Sequence, residues 1–441
     1  MKATFDKVNV IGLGYIGLPT AAVLASRGLS VVGVDIDSNT VATINNGKVH
    51  IVERDLDLLV HNVVSAGKLR AVMTPEAGDV FLITVPTPFT TNQEPDISYI
   101  NAAVESIAPV LAKGNLVILE STSPVGTTDN MSRKFAAMRP DLIFPHQDAE
   151  TPDINIAYCA ERVMPGQILV ELVANDRIIG GMTEGCTRKA KSLYELFVKG
   201  ECLSTNSRTA EMTKLTENSF RDVNIAFANE LSIICDKLNI NVWELIKFAN
   251  RHPRVNILQP GPGVGGHCIA VDPWFIVHSA PAEAKLIRTA REVNDNKPDF
   301  VLAKIKLAAS KFKHPTIACL GVAYKPNTDD LRESPVVRIL QSLGAETTFN
   351  VNIVEPNIEK LPANLAQYEQ FTLKTLPDAL ATADIVVLMV AHKEFEILNA
   401  DLVRGKILID LVNMAAPVKR APDALRKTIH PHVVSESAVV D

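Results

Sequence analysis

The chain has 441 residues, 47% of them apolar and 21% charged, with a formal net charge of −6. At roughly 100–200 residues per domain, that length calls for two to four domains. The mild acidity excludes the basic footprint of a nucleic-acid binder, and the longest apolar runs, such as "IVVLMV" from Ile385, are too short to span a bilayer. The first ten residues, "MKATFDKVNV", lack the apolar core of a signal peptide, and a cytoplasmic protein is expected. The six cysteines, at 159, 186, 202, 235, 268 and 319, form no CxxC and no zinc-type cluster. Reduced thiols and no metal are therefore expected.

In chain order, "KVNVIGLG" is a strand running into a turn, "LPTAAVLASRG" a helix that stops at Gly28, and "SVVGVDID" a second strand. "DVFLITVPTP" and "LVILESTS" continue the pattern of Val/Ile/Leu runs with helices between them. Such runs indicate parallel strands covered on both faces, hence a doubly wound α/β domain. Between Gly200 and Pro253 there is neither glycine nor proline, and "SRTAEMTKLTENSFRDVNIAFANELSIICDKLNI" reads as one long helix capped by Asn206 or Ser207. Met212, Leu215, Phe220, Ile225, Phe227, Leu231 and Ile234 recur near helical spacing, and so long a helix needs tertiary or intersubunit packing. "PTIACLGVAYKPN", "TFNVNIVEPN", "ADIVVLMVAH" and "KILIDLVN" return to buried strands and predict a second α/β domain; "SESAVVD" reads as a terminal tail. The fold class is thus α/β: two Rossmann-like doubly wound domains joined by a long central helix and a helical middle domain. The expected boundaries are 1–200, 201–305 and 306–441.

Chemistry concentrates in a few places. "GLGYIG" places Gly12, Gly14 and Gly17 between a strand and a helix. This GxGxxG allows a tight turn, close approach of a pyrophosphate, and close helix–strand packing. Asp35 ends the next strand, where an acid binds a ribose diol and repels a 2′-phosphate, so NAD is expected rather than NADP. "GPGVGGHCIAVD" surrounds Cys268 with Gly261, Gly263, Gly265 and Gly266, and Asp272 follows four residues later as a base or its orienter. His267, next to the thiol, reads as a filler rather than a ligand. Lys214 and Asn218 share one helix face and suit a developing oxyanion. A solvated face is the competing reading, with Glu217 and Arg221 as an ordinary i,i+4 pair. Thr122 follows a buried strand in "ESTSPVG", at the end where α/β sheets bind ligands. Glu161 lies in the turn-rich "YCAERVMPG" as a general base or a surface acid paired with Arg162. Lys325 and Arg332, in "YKPNTDDLRESP", are placed to meet a phosphate or simply solvent.

Together, "VIGLGYIGLP", "STSPVG", "ERVMPG", "KLTEN", "GGHC" with its aspartate and "KPNTDDLRESP" resemble, in this order, the nucleotide-diphospho-sugar 6-dehydrogenases. "LTENSFRDVNIAFANEL", "NRHPRVNILQPGPGVGGHCIAVDPWF" and "LIRTAREVND" are most similar to the UDP-N-acetylhexosamine branch of that family, and Val271 stands where UDP-glucose enzymes usually carry lysine. The resemblance implies a four-electron oxidation of a sugar C6 alcohol by NAD, through a thiohemiacetal and a thioester on Cys268. Lys214, Asn218 and Asp272 would handle oxyanions and protons, Glu161 the hydrolysis, and Thr122 a water or the cofactor. It further implies cofactor contacts from Tyr15, Ile16, Thr87 and Arg332. Substrate contacts are implied for Arg162, Val163, Gly261, Gly265 and Lys325, and for Arg254 reaching in from a neighbouring subunit of a homodimer. The implied substrate is a UDP-N-acetylhexosamine, UDP-N-acetyl-D-mannosamine first and UDP-N-acetyl-D-glucosamine as the alternative, for surface polysaccharide synthesis. One departure stands out: Ala160 occupies the place of the family's usual proline before the glutamate. A two-electron hydroxy-acid dehydrogenase would share the Rossmann layout but gives no reason for Cys268 or the glycine run.

Overall fold

A computed structural model describes residues 5–90, 93–164, 166–266, 268–346 and 348–414. His267 and the terminal "SESAVVD" lie outside the described residues. The chain divides into two compact units, Met1–Glu230 with Gly266–Asp295, and Leu231–Gly265 with Asn296–Asp441.

The first unit is built on an eight-stranded sheet: β1 (Lys7–Ile11), β2 (Ser30–Val34), β3 (Leu69–Val72), β4 (Val80–Ile83), β5 (Leu116–Leu119), β6 (Asn155–Tyr158), β7 (Arg177–Gly181) and β8 (Cys202–Asn206). Their order is β3-β2-β1-β4-β5-β6-β7-β8, with the switch point between β1 and β4. The period of two in a strand sends successive side chains to opposite faces. Val8, Val10, Val31, Val80, Leu82, Leu116 and Ile118 enter one core, while Ile11, Val32, Val34, Phe81, Ile83, Val117 and Leu119 enter the other. Both faces are covered, which is why these strands read as continuous apolar runs. One pairing departs from the all-parallel expectation: β6 and β7 run antiparallel, Ala157 opposite Gly181.

The second unit carries a five-stranded parallel sheet of β9 (Thr316–Leu320), β10 (Asn350–Val354), β11 (Phe371–Leu373), β12 (Ile385–Leu388) and β13 (Ile407–Asp410). Its order, β11-β10-β9-β12-β13, repeats that of β3-β2-β1-β4-β5. Ile317 and Cys319 face one core, Ala318 and Leu320 the other.

The central helix runs unbroken over 32 residues, Ser207–Leu238. Asn206 caps it, its Oδ1 accepting the N–H of Thr209 at 2.9 Å. Its apolar residues do not form one buried stripe. Leu215 is fully buried, but Met212, Phe220, Phe227 and Ile234 are exposed. Among the described residues no helix is long and apolar enough to cross a membrane.

Candidate active site

The glycine turn follows β1 and opens the first helix, Gly17–Ser26. Gly12 has φ +91°, and a Cβ there would lie 2.9 Å from the Thr84 carbonyl oxygen. At Gly17 a Cβ would fall 1.8 Å from the Gly12 oxygen. Gly14 differs: a Cβ there meets nothing within 4 Å. Two glycines thus serve chain packing, and the third leaves an open face beside a helix N-terminus. That open face fits a dinucleotide pyrophosphate. Asp35, just past β2, braces the turn by accepting the Leu13 N–H at 2.9 Å. Tyr15 is exposed beside the turn. Thr87 donates its hydroxyl to the Thr122 carbonyl, linking the loops after β4 and β5.

Of the six cysteines, all free, five are buried and Cys268 alone is exposed. It stands one turn ahead of the helix Asp272–Ser279, and its carbonyl accepts the Asp272 N–H at 2.9 Å. That i,i+4 relation puts thiol and carboxylate on one side. Asn218 reaches the same carboxylate, Nδ2 to Asp272 Oδ2 at 2.5 Å. Lys214, one turn earlier on the central helix, donates to the Glu161 carbonyl at 2.9 Å and lies 3.9 Å from its carboxylate. Glu161 is further held by the Val163 N–H, 2.7 Å from Oε2. Lys214, Asn218 and Asp272 are buried, so the face they share is not solvated. Burial pushes the Asp272 carboxyl up to about 6 against the pull of Lys214. Although the residue is exposed, the protein packed around its Sγ desolvates the thiol and, with the neighbouring Asp272, pushes it up to about 11, with Lys214 opposing. The resting group at neutral pH is therefore a thiol beside a carboxylate, not a standing thiolate. Thr122 lies in the loop after β5, partly buried.

The second unit gathers the other loop residues. Lys325 and Arg332 lie between β9 and the helix Pro335–Gly344, with Lys325 partly buried against the Tyr324 ring and Arg332 forked onto Asp330. Gly265 is pressed against this loop: a Cβ would fall 2.4 Å from the Glu333 oxygen and 3.0 Å from the Tyr324 Cβ. At Gly261 only a Gly263 oxygen comes within 4 Å, at 3.9 Å. The glycine run and the "KPNTDDLRESP" loop, 60 residues apart in sequence by number (265 to 325), are thus neighbours. Arg254 is exposed after the helix Val242–Ala249.

Two local expectations are corrected. Glu217 pairs with Arg162, 2.7 Å away, instead of with Arg221, because the loop after β6 passes close enough to offer a two-pronged guanidinium. For the same reason Arg162 does not pair with Glu161. Val271 packs in a small core with Leu215, Trp274 and Phe275. Its side chain is not one of the polar groups around the thiol. Sequence reasoning missed Glu211, fully buried, which accepts the N–H groups of Gly126 and Thr128 at 2.6 and 2.8 Å. It holds the end of "STSPVG" one turn before Lys214. Its only sequence signal was an acid three residues ahead of that lysine. Also missed was the fully buried layer behind Glu161, where Tyr194 donates to Glu120 at 2.5 Å and Arg177 lies over the Tyr194 ring.

A dinucleotide turn ending in an acid, a thiol–carboxylate–amide cluster and a second Rossmann-like unit define an NAD-dependent nucleotide-sugar dehydrogenase. The chain belongs to the UDP-glucose/GDP-mannose dehydrogenase family. Its residues 6–198 match that family's NAD binding domain, 208–296 its central domain and 318–417 its UDP binding domain. It is 62% identical over 400 residues to the UDP-N-acetyl-D-mannosamine dehydrogenase of Campylobacter jejuni, covering 90% of this chain and 98% of the relative. It is 60% identical over 410 residues to an NDP-N-acetyl-D-galactosaminuronic acid dehydrogenase of Ralstonia nicotianae, covering 93% and 96%. Among solved structures, a UDP-D-ManNAc dehydrogenase from Pyrococcus horikoshii superposes with a TM-score of 0.83 at 40% identity, covering 92% of this chain and 96% of that one.

Proposed function

We propose that this enzyme oxidises UDP-N-acetyl-D-mannosamine at C6 to the uronate, in two oxidations at one site. The observation that carries the reading is the cluster itself: one exposed thiol within a helical turn of a buried carboxylate, which is in turn bound by the amide of Asn218. The Gly12–Gly17 turn and Asp35 would hold NAD, which would supply one hydride acceptor per oxidation, the first NADH leaving and a second NAD taking its place before the second oxidation. Lys214 and Asn218 donate to the C6 oxygen as charge develops on it. Asp272, ionised above about pH 6, accepts a proton through water. The Cys268 thiol adds to the aldehyde, forming the C–S bond while its proton passes to the C6 oxygen, so the addition is neutral overall and suits a thiol pushed up to about 11. The thiohemiacetal loses the second hydride and a proton, leaving a thioester. Glu161 directs water onto that carbonyl, the C–S bond breaks, and the thiol is regenerated. Thr122 holds the water or the cofactor nearby.

The three functional parts follow the boundaries 1–200, 201–305 and 306–441: NAD binding, thiol and dimerisation, and UDP-sugar binding. Gly261 and Gly265 wrap the substrate, Lys325 meets its diphosphate, and Arg162 and Val163 line its approach. Arg332 is assigned to the cofactor on the family resemblance alone. We assign the exposed Met212, Phe220 and Phe227 of the central helix to a homodimer, in which Arg254 serves the partner's site. Their support is their exposure along that one helix, 39%, 68% and 53% respectively. The acidic product suits cytoplasmic synthesis of surface polysaccharide precursors.

The test is NADH formed per sugar consumed across UDP-N-acetylmannosamine, UDP-N-acetylglucosamine, UDP-N-acetylgalactosamine, UDP-glucose and GDP-mannose. Two NADH with the first sugar supports the reading; one NADH refutes the covalent route. The galactosamine arm is included because the Ralstonia relative's name points to that configuration. Cys268→Ala is expected to abolish uronate formation.

A further inference from the structure

The second unit repeats the nucleotide turn of the first but closes one of its functions. Gly321 has φ +86° and donates to the Val354 carbonyl at 2.8 Å, as Gly12, with φ +91°, donates to Val34 at 2.8 Å. The next residue then binds the acid after the second strand: Leu13 to Asp35 at 2.9 Å, Val322 to Glu355 at 2.7 Å. There the likeness ends. Asp35 is partly exposed, and its other oxygen takes the Asp37 N–H at 3.0 Å, leaving lone pairs for a ribose diol. Glu355 is buried. Its Oε2 also accepts from the Ala323 N–H at 3.1 Å and from His392 Nε2 at 3.0 Å. Its Oε1 accepts the backbone and side-chain N–H of Asn357, each at 3.1 Å. A carboxylate offers about four lone-pair sites, so this one is saturated by its own chain.

His392, fully buried, carries the connection onward. Its Nδ1 accepts the Asn327 N–H at 3.0 Å and lies 3.2 Å from the Asn357 amide. A backbone N–H can only donate, so Nδ1 is bare and Nε2 carries the proton toward Glu355. Asn327, in the left-handed region at φ +57°, returns the grip by accepting the Lys393 N–H on its Oδ1 at 3.0 Å. It stands two residues after Lys325, in the loop that also carries Arg332.

We propose that the Glu355–His392 pair is a positioning device for the 321–334 loop. In this unit the strand-end acid does not receive a ribose; it fixes, through His392 and Asn327, the loop that takes the diphosphate of UDP. The proposal rests on the reading of Lys325 as a diphosphate contact, so the experiment separates the two. The full-length enzyme is titrated calorimetrically with UDP as Lys325→Ala, His392→Leu and His392→Asn, and KM for NAD is measured for each. Asn can present an acceptor where Nδ1 lies; Leu cannot. Lys325→Ala and His392→Leu are each expected to weaken UDP about tenfold, on the order of one lost hydrogen bond. His392→Asn should recover most of that loss, and KM for NAD should stay put. If Lys325→Ala binds UDP normally, the loop reading itself fails. If Lys325→Ala is weakened but His392→Leu is not, or if His392→Asn is as weak as His392→Leu, the positioning role alone is overturned. A parallel rise in KM for NAD also overturns it, since that marks general damage. Should His392→Leu not fold, His392→Gln keeps a donor toward Glu355 where Nε2 lies and loses the acceptor for the Asn327 N–H. A several-fold loss of UDP affinity supports the device, and unchanged affinity overturns it.

Discussion

At the scale of single residues, the three glycines of one motif have different duties, and substitutions should separate them. Gly17→Ala puts a methyl 1.8 Å from a backbone oxygen, and the chain should unfold more readily, by on the order of several kcal/mol. Gly14→Ala meets no atom of the chain, so Tm should hold while KM for NAD rises. Thermal melts beside NAD titrations check the pair. Cys268 and Asp272 make a second prediction. With the thiol pushed up to about 11, alkylation by iodoacetamide should climb roughly tenfold per pH unit from 7 to 9 with no plateau. Asp272→Asn removes the negative neighbour and should speed alkylation at fixed pH; a slower reaction would contradict the assigned electrostatics. Stability carries its own sign. Asp272 is raised to about 6 in the fold from an ordinary value near 3.8, so the folded state holds that proton more tightly than the unfolded chain does. Its ionisation costs nothing below about pH 4 and costs the full amount above about pH 6, on the order of 3 kcal/mol. Asp272→Asn should therefore gain stability relative to the parent as pH rises from 4 to 7, read from urea midpoints.

At the scale of elements, the motif "LIRTAREVND" acquires a physical role. Arg291, on the helix Lys285–Ala309, is buried and binds Asp222 of the central helix at 2.5 Å; Asn294 reaches the same carboxylate at 2.8 Å. Asn229 donates to Asn294 at 2.9 Å. Removing one partner leaves a buried charge alone, so Arg291→Leu should cost about 3–5 kcal/mol. The double variant Arg291→Leu with Asp222→Leu should recover much of it, and equilibrium unfolding of the four forms measures the coupling. Glu211 works in the same way across elements, tying the loop after β5 to the helix turn that carries Lys214. These ties were hidden because a charged residue within a helix reads as solvated until a partner far along the chain is seen to meet it.

At the scale of the whole molecule, the central helix exposes Phe220 and Phe227 on an element 32 residues long. A lone surface phenylalanine is unremarkable, but two, with Met212 and Ile234, along one unbroken helix suit a partner surface. The double variant Phe220→Asp and Phe227→Asp should sediment as a monomer, and if Arg254 serves the partner's site, its turnover should fall with dimer content. Full activity in a monomer would sink the shared-site reading.

The sequence by itself determined β1, β2, β4 and β5 of the first sheet and β9, β10, β12 and β13 of the second, with the glycine turn, Asp35 and the long helix, because continuous apolar runs, turn chemistry and helical spacing are local properties written in consecutive residues; β3, β6, β7, β8 and β11 were not read from it. It also placed Lys214 and Asn218 on one face, since four residues make a turn. Only the tertiary structure decided that this face is buried, that Glu217 belongs to Arg162, and that β6 and β7 oppose each other. Nor could spacing show that Gly265 packs on the Tyr324–Pro335 segment, or that Glu355 is saturated by His392. Each of these depends on which side chains the folded chain brings within about 3 Å of one another, and separation along the sequence carries no record of that.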